Sequence, residues 1–181
     1  NDAVGYSGVA LFNDTATIAA AVIMNGVNTF NGNHTAGLRV YSIGSVTLNN
    51  ITANNTLSAS GAAVIVDNDM GGSTAFVTVN GVNTFTANSN SGLSISSMGV
   101  VNLTKITADD NNVTGLMVVT TGSVNLTCGY FTNNTVYGWQ ITIPTPAMAT
   151  LKGVVSVGNG TSDTFFPGTG VLKQSIACPL P

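Results

Sequence analysis

The sequence predicts an all-β, right-handed parallel β-helix, a three-sided solenoid of about six coils with a C-terminal closing tail. One observation is a repeat: residues 26–48 and 81–103 share the pattern GVNTF…GL…S…G…V…L at an offset of 81 − 26 = 55 residues. The other is that apolar and polar residues alternate within each copy, and no segment places apolar residues at helical spacing. Repeats of a few tens of residues indicate a solenoid, and parallel crossovers are almost always right-handed.

Each predicted coil opens with a glycine followed by alternating apolar residues. These glycines are Gly8, Gly37, Gly61, Gly92, Gly115 and Gly138. Three short alternating runs follow within a unit, separated by Gly, Ser or Asn, which predicts three strands and three turns per coil. We therefore predict an entry segment in 1–7, the solenoid in 8–167 and a capping tail in 168–181. In that last stretch the repeat is lost and proline, which gives no N–H to a strand ladder, recurs.

Equivalent residues of successive coils should form columns, because neighbouring parallel strands lie about 4.8 Å apart. The predicted inward columns are Leu38/Leu93/Leu116 and Val46/Val101/Val124. At one turn the predicted column is a polar ladder, Asn54/Asp109/Asn133, whose side chains can bind the backbone of a tight corner. In the third short unit, this alignment treats Tyr130 as a core residue and predicts a bulge at Cys128-Gly129.

Composition limits the function classes. Hydrophobic residues make up 44% of the 181 residues and charged ones only 6%, with a formal net charge of −3 and no glutamate. The few Lys and Arg residues are scattered, unlike the clustered cations of a nucleic-acid-binding surface. No apolar run is long enough to span a membrane. We expect no nucleic-acid partner and no membrane span.

The two cysteines, Cys128 and Cys178, leave two interpretations open. They are either two buried free thiols or a disulfide that closes a 50-residue loop and pins the tail (178 − 128 = 50). On the chain-entropy model a loop of that size stabilises a fold by about 3–4 kcal/mol. A disulfide would place the chain in an oxidising, extracellular setting.

The repeat itself carries a resemblance. GVNTFNGN followed by GLRVYSIGSVTLNNITANN is similar to the repeats of bacterial secreted and cell-surface right-handed parallel β-helix proteins, the adhesin-like repeat family. The resemblance covers residues 8 to about 137 and implies a secreted or surface-exposed, extended, non-catalytic body.

Enzymatic alternatives exist, because the same fold hosts polysaccharide lyases and glycosidases. Glycoside hydrolysis needs two carboxyl groups that flank a sugar, and the close acidic pairs are Asp67/Asp69 and Asp109/Asp110. We interpret both pairs as turn residues, His34 as another, and Arg39 and Lys105 as solvated. No zinc-binding spacing is present, so we predict no enzyme activity, cofactor or metal.

Nine N-x-[ST] tripeptides occur, and most are explained by the Asn- and Thr-rich repeat. Three of them lie outside the predicted ladder and are the better glycosylation candidates: Asn112, Asn125 and Asn159.

The predicted function is that of an extracellular structural subunit that self-associates, head to tail, into a surface fibre or scaffold. An open strand edge is a template for pairing, and the apolar stretch near the N-terminus lacks blunting cations. Its residues are Val4, Tyr6, Val9, Leu11 and Phe12. The alternative is an adhesin-like carbohydrate-binding module, with Trp139, Tyr137 and Tyr41 as aromatic contacts. An ice-binding face is less favoured, because the equivalent positions in the short coils, Thr47, Asn102 and Asn125, do not form a regular threonine row.

Overall fold

A computed structural model describes residues 7–175 and Cys178 of the chain. Within these residues the regular structure is strand, apart from one 3-10 turn at Met70–Gly72. The first nine strands are β1 Val9–Asn13, β2 Val22–Met24, β3 Asn28–Thr29, β4 Leu38–Ser42, β5 Val46–Asn49, β6 Ile51–Thr52, β7 Val64–Asn68, β8 Val77–Asn80 and β9 Asn83–Thr86. The others are β10 Leu93–Ser97, β11 Val101–Asp109, β12 Thr114–Thr120, β13 Val124–Thr132, β14 Tyr137–Thr142, β15 Met148–Val157, β16 Ser162–Phe165 and β17 Val171–Ser175.

The strands stack in parallel along three faces. Face 1 is the sheet β1-β4-β7-β10-β12-β14-β16. The second sheet covers face 2 with β2, β5, β8, the first halves of β11, β13 and β15, and β17. It bends onto face 3 with β3, β6, β9 and the second halves of the three long strands. This gives six full coils, opening at β1, β4, β7, β10, β12 and β14, and a partial seventh of β16 and β17, which confirms the predicted parallel β-helix.

The inward columns are confirmed and are longer than predicted. On face 1, Leu38, Val64, Leu93, Leu116 and Trp139 stand opposite one another in successive coils. On face 2 the equivalent column is Val46, Val77, Val101, Val124 and Ala149. All of these side chains are buried. Burying one such side chain stabilises the fold by about 1.5–3 kcal/mol, so the columns are the main source of cohesion.

Face 3 contains a column of alternating large and small residues. Its members in coils 1 to 6 are Phe30, Ala53, Phe85, Ala108, Phe131 and Ser156. The companion column is Asn28, Ile51, Asn83, Ile106, Gly129 and Val154. In coils where the first column has a small residue, the companion column has isoleucine or valine. The two inward side chains of face 3 therefore fill a similar total volume in each coil. The repeated sequence GVNTF contributes the pair with the large residue, asparagine in the companion column and phenylalanine in the first column.

The predicted opening of the third coil at Gly61 is wrong by two residues. Val64 pairs with both Leu38 and Leu93, so Ala63 takes the position of Gly37 and Gly92. A Cβ atom at those two glycines would lie 2.7 and 2.9 Å from the Cβ of Phe30 and Phe85, respectively. Coil 2 carries Ala53 in that column instead of phenylalanine, which leaves room for a methyl group.

The predicted bulge at Cys128-Gly129 is also absent from the register. Thr104 pairs with Thr127 and Ile106 pairs with Gly129, so Cys128 is the counterpart of Lys105. Both adopt left-handed backbone, with φ of 61° and 47°. They belong to a corner column between faces 2 and 3: Gly26, Asn50, Gly81, Lys105, Cys128 and Gly153. Tyr130, predicted to be inward, is 49% exposed, and Phe131 occupies the core position beside it.

The solenoid does not end at residue 167. β16 pairs with β14 on face 1, and β17 pairs with β15 on face 2, both in parallel. Residues 171–175 of the predicted tail therefore form a strand of the partial seventh coil. Leu172 points inward and stacks on Ala149, and the next inward position, opposite Leu151, is Gln174. Because this inward residue is polar, the sequence of β17 does not show the alternation of apolar and polar residues.

Candidate functional site

A buried asparagine ladder runs along the corner after face 3. Asn88, Asn111, Asn134 and Asn159 occupy successive coils. Each donates its Nδ2 to the Oδ1 of the next, over 2.8, 2.8 and 2.9 Å. The backbone N–H of each donor residue binds the same Oδ1. The ladder therefore has a direction: donors point from each coil to the next one toward the C-terminus.

The ladder predicted from the sequence was wrong in register. Asp109 stands opposite Thr132, and Asn133 therefore stands opposite Asp110. Asp109 and Asn133 still touch, because Asn133 donates its Nδ2 to Asp109 Oδ1 over 3.0 Å. Asn54 accepts a bond from the backbone N–H of Thr86 over 2.8 Å. The side chains of Asn54, Asp109 and Asn133 lie on the outer side of the corner. The continuous ladder lies inside the corner, one or two residues further toward the C-terminus in each coil.

The C-terminal end of the ladder is closed by a carboxylate. Asn159 donates its backbone N–H and Nδ2 to Asp163 Oδ1 over 3.1 and 2.9 Å. These bonds hold the pKa of Asp163 below its ordinary value. The pKa of Asp163 is lower in the folded chain than in the unfolded one. Its hydrogen bonds with Asn159 therefore stabilise the fold at pH values above the ordinary aspartate pKa, and this stabilisation is lost as pH falls through the lowered pKa. Asp163 lies at the position of an opening glycine, since Thr164 pairs with Trp139.

The N-terminal end of the ladder is open. Thr56 donates its N–H and Oγ1 to Asn88 Oδ1, both over 3.0 Å, and so extends the ladder into coil 2. Asn33 is the equivalent residue of coil 1, because its carbonyl accepts the N–H of Leu57 as that of Thr56 accepts the N–H of Ser89. Asn33 is 2% exposed, and its Oδ1 has no hydrogen-bond partner among the described residues.

The first coil is also an open edge of the sheets. Within the described residues, β1, β2 and β3 pair only with β4, β5 and β6. Five inward residues of this coil pack on the core but stay only partly buried: Val9, Leu11, Val22, Met24 and Phe30. Its outer surface is apolar as well, with Ile18, Ile23 and Val27 exposed to 78%, 62% and 83%.

The five residues predicted as an assembly end divide into three groups. Val9 and Leu11 lie in β1 as half-buried inward residues. Phe12 points outward, is 70% exposed and stacks on Tyr41 with ring centroids 5.3 Å apart. Val4 and Tyr6 lie outside the described residues. The sequence alone did not indicate Asn33, Ile18, Ile23 or Val27, although the pattern N-x-x-x-G at Asn33, Asn88, Asn111 and Asn134 is visible in it.

The C-terminal end of the solenoid is held by a disulfide. Cys128 and Cys178 form a disulfide with their Cα atoms 5.6 Å apart, as one of the two interpretations of the sequence predicted. Cys178 lies directly against Gly153, where any Cβ would overlap it. The outer strand, β17, exposes Lys173 and Gln174, and a lysine on an edge strand opposes pairing with another chain.

The acidic pairs differ in their surroundings. Asp67 and Asp69 lie at the end of β7, and Ser96 donates to Asp69 Oδ2 over 2.6 Å. Burial and the neighbouring Asp69 raise the pKa of Asp67, whereas the bonds from Ser96 and Asp67 lower the pKa of Asp69. A shallow groove of about 680 Å³ lies beside Asp69 and continues past Thr120. No group of three or more His, Cys, Asp or Glu side chains that could hold a metal occurs in residues 7–175 or at Cys178.

The predicted aromatic contacts do not form one surface. Trp139 is 1% exposed and belongs to the face 1 core. Tyr137 stacks on Phe165 with centroids 4.6 Å apart, at the C-terminal end of face 1, while Tyr41 stacks on Phe12 at the other end. His34 is exposed, as is Lys105, and Arg39 is half-buried.

The three glycosylation candidates are not equivalent. Asn159 is unsuitable, because its Nδ2 is committed to Asp163 and to the carbonyl of Phe131. Asn125 is exposed but donates its Nδ2 to Asn102 Oδ1 over 2.9 Å. Asn112 is exposed, and its side chain makes no hydrogen bond within the described part of the chain.

Comparisons of the chain with protein-family models, with curated proteins and with solved structures find no match. In the part of the chain that the structure describes, no helix has the length and apolar character to cross a membrane. The geometry described above is therefore the basis for a functional interpretation.

Proposed function

We propose that this chain is a non-catalytic structural β-solenoid of an extracellular surface fibre or scaffold, and that its first coil is the surface through which it joins further solenoid coils, including copies of itself. The observation that carries the proposal is the first coil's open edge. Strands β1 to β3 have described neighbours on one side only, and the inward residues above them are half-buried.

The chemistry of that edge supports joining. Unpaired strand edges are templates for another strand, and edges that must stay single are usually blunted by Lys, Pro or bulges. Residues 7–36 contain no Lys, Arg or Pro, and their ionisable side chains are Asp14 and His34. Covering Val9, Leu11, Val22 and Met24 would remove further apolar area from water at about 25 cal/mol per Å².

The extracellular setting is supported by the disulfide and by the low charge. Disulfides persist in oxidising environments outside the cytosol. The Cys128–Cys178 bond joins β13 to Cys178, which follows β17, and so secures the partial seventh coil against unwinding. The resemblance to secreted and surface β-helix repeats points the same way.

A polysaccharide lyase or glycosidase is the weaker reading. The carboxyl groups of glycosidases stand about 5–9.5 Å apart so that a sugar or a water fits between them. Asp67 and Asp69 are instead two residues apart at the end of β7, where Ser96 already binds Asp69 Oδ2. Asp109 is occupied by Thr132 and Asn133 at a corner. These contacts favour a structural role for both pairs.

Light scattering as a function of protein concentration tests the proposal. The wild-type chain should associate as concentration rises, and Ile23→Lys should remain monomeric, because it places a charge on the outward side of an edge strand. Val119→Lys is the matched control: Val119 also points outward and is 44% exposed, but it lies on coil 5. A wild-type chain that stays monomeric at every concentration, or equal effects of both lysines, would contradict the proposal.

A further inference from the structure

Two corners of the solenoid share the sequence Asn-Gly-Val-Asn, at residues 25–28 and 80–83. We propose that these corners are sites of spontaneous deamidation, at which the glycine nitrogen attacks the side-chain amide of the preceding asparagine and ammonia is lost. The modified residues are Asn25 and Asn80. The proposal goes beyond the proposed function and does not depend on it, because the reaction takes place within a single chain.

The chain contains four Asn-Gly pairs, and the structure divides them into two kinds. In the pairs at 31–32 and 159–160, the glycine N–H donates to a backbone carbonyl of a neighbouring coil over 2.9 and 2.8 Å. In the other two pairs, Gly26 and Gly81 donate no hydrogen bond within the described residues. Their nitrogens can therefore attack without first breaking a bond.

The second asparagine of each motif is the reason why the glycine N–H is free. Asn83 Nδ2 donates to Thr104 O in the next coil over 3.1 Å. By the register of β8 on β11, that oxygen is the acceptor that the Gly81 N–H would otherwise use. Asn28 Nδ2 takes the equivalent carbonyl, Asn49 O, over 3.0 Å. The buried side chain thus replaces the glycine in the ladder of hydrogen bonds.

The same side-chain amide also activates the peptide that reacts. Asn83 Nδ2 donates to Asn80 O over 3.1 Å, and the Asn50 N–H donates to the same oxygen over 3.0 Å. Asn28 Nδ2 donates to Asn25 O over 3.2 Å. When the glycine nitrogen loses its proton, the negative charge is shared with this oxygen, so the donors stabilise the nucleophilic form. Glycine also has no Cβ to hinder the attack.

The reaction balances with water as its co-reactant. The glycine nitrogen gives its proton to solvent and forms a bond to the asparagine Cγ, while the Cγ–Nδ2 bond breaks and Nδ2 takes up a proton and leaves as ammonia. Water then opens the succinimide ring at either of its carbonyl carbons. One opening gives aspartate, and the other gives isoaspartate, in which the main chain runs through the side-chain carbon. Each modified site gains a carboxylate, which at Asn80 lies on the outward side of face 2.

Peptide mapping by mass spectrometry tests the proposal on the oxidised, folded chain at mildly alkaline pH. Asn25 and Asn80 should convert to aspartate and isoaspartate roughly tenfold faster than Asn31 and Asn159, which is the factor that one more hydrogen bond to break imposes on a rate. Asn31 is the matched control for Asn25, because both are exposed residues of coil 1. In urea the four rates should converge, because the unfolded pairs react through the same Asn-Gly peptide.

Equal rates at Asn31 and at the two proposed sites in the folded chain, or the same ranking in urea, would overturn the proposal. Aspartate without isoaspartate would exclude the ring and overturn it as well. Gly26→Asn identifies the nucleophile: the space around Gly26 is open, and Asn50 holds the same left-handed corner in coil 2. This variant should slow the reaction of Asn25 roughly tenfold or more, because a Cβ hinders the attack, and leave Asn80 unchanged. An unchanged rate at Asn25 would contradict attack by the nitrogen of residue 26.

Discussion

Asn111 and Asn112 are neighbours of the same residue type in opposite environments. Asn111 is 1% exposed and bonds Asn134 Oδ1 and the carbonyl of Phe85, whereas Asn112 is exposed. Asn111→Ala should lower the free energy of unfolding by about 3 kcal/mol or more, because it leaves three buried partners in the two neighbouring coils, Asn88, Phe85 O and Asn134, unpaired. Asn112→Ala should change it by less than about 0.5 kcal/mol. Urea unfolding of both variants measures the difference, and similar values for the two would show that the ladder is not a stabilising element.

The residue scale is also where sequence reasoning was least accurate. The sequence predicts the turn chemistry correctly, but it places the ladder at Asn133 instead of Asn134. The cause is local: Gly129 occupies the inward position that Ile106 occupies in coil 4, so the apolar alternation predicts Tyr130 as inward in place of Phe131. The spacing N-x-x-x-G would have given the correct register, since it recurs with Gly37, Gly92, Gly115 and Gly138.

At the scale of the strand, coil 5 can test whether the two inward residues of face 3 must keep a constant total volume. A Cβ at Gly129 would lie 2.5 Å from the Phe131 ring, which fills the space that Ile106 fills in coil 4. Gly129→Ile alone should cost about 1–3 kcal/mol by overpacking, and Phe131→Ala alone about 3–5 kcal/mol by leaving a cavity. The double variant recreates the Ile106/Ala108 rung, so it should be clearly less destabilised than the sum. Additive costs in a double-mutant cycle would contradict this compensation.

Most strands could be predicted because their signal is a period of two with one buried face. β4, β5, β10, β12 and the first half of β11 have the alternation in full. The strands at the end could not, since an edge strand has less core to contact and tolerates polar inward residues. β17 shows this at Gln174, and Pro167 lies in the connection that precedes it without ending the solenoid.

At the scale of the whole molecule, the two ends are held by different means. In a solenoid each coil contacts mainly its neighbours, so opening proceeds from the ends and local fastening has local effects. The C-terminal end carries Asp163 and the Cys128–Cys178 disulfide, which spans 50 residues. On the chain-entropy model, a cross-link of that span contributes about 4 kcal/mol. Within residues 7–175, coil 1 at the N-terminal end is held by its pairing with coil 2.

Amide hydrogen exchange of the oxidised and reduced chain should reveal this asymmetry. Reduction, or Cys178→Ser, should accelerate exchange in β17 and the second half of β15, because the outermost coil is then held only by its pairing. Exchange in β1 and β4 should stay unchanged, since these strands belong to coils 1 and 2, whereas the disulfide lies beside coils 5 and 6. The strands of coils 3 to 5 should remain slowest in both states. Uniform acceleration along the whole chain would mean that the solenoid unfolds as one cooperative unit, and the two ends would then not behave as independent surfaces.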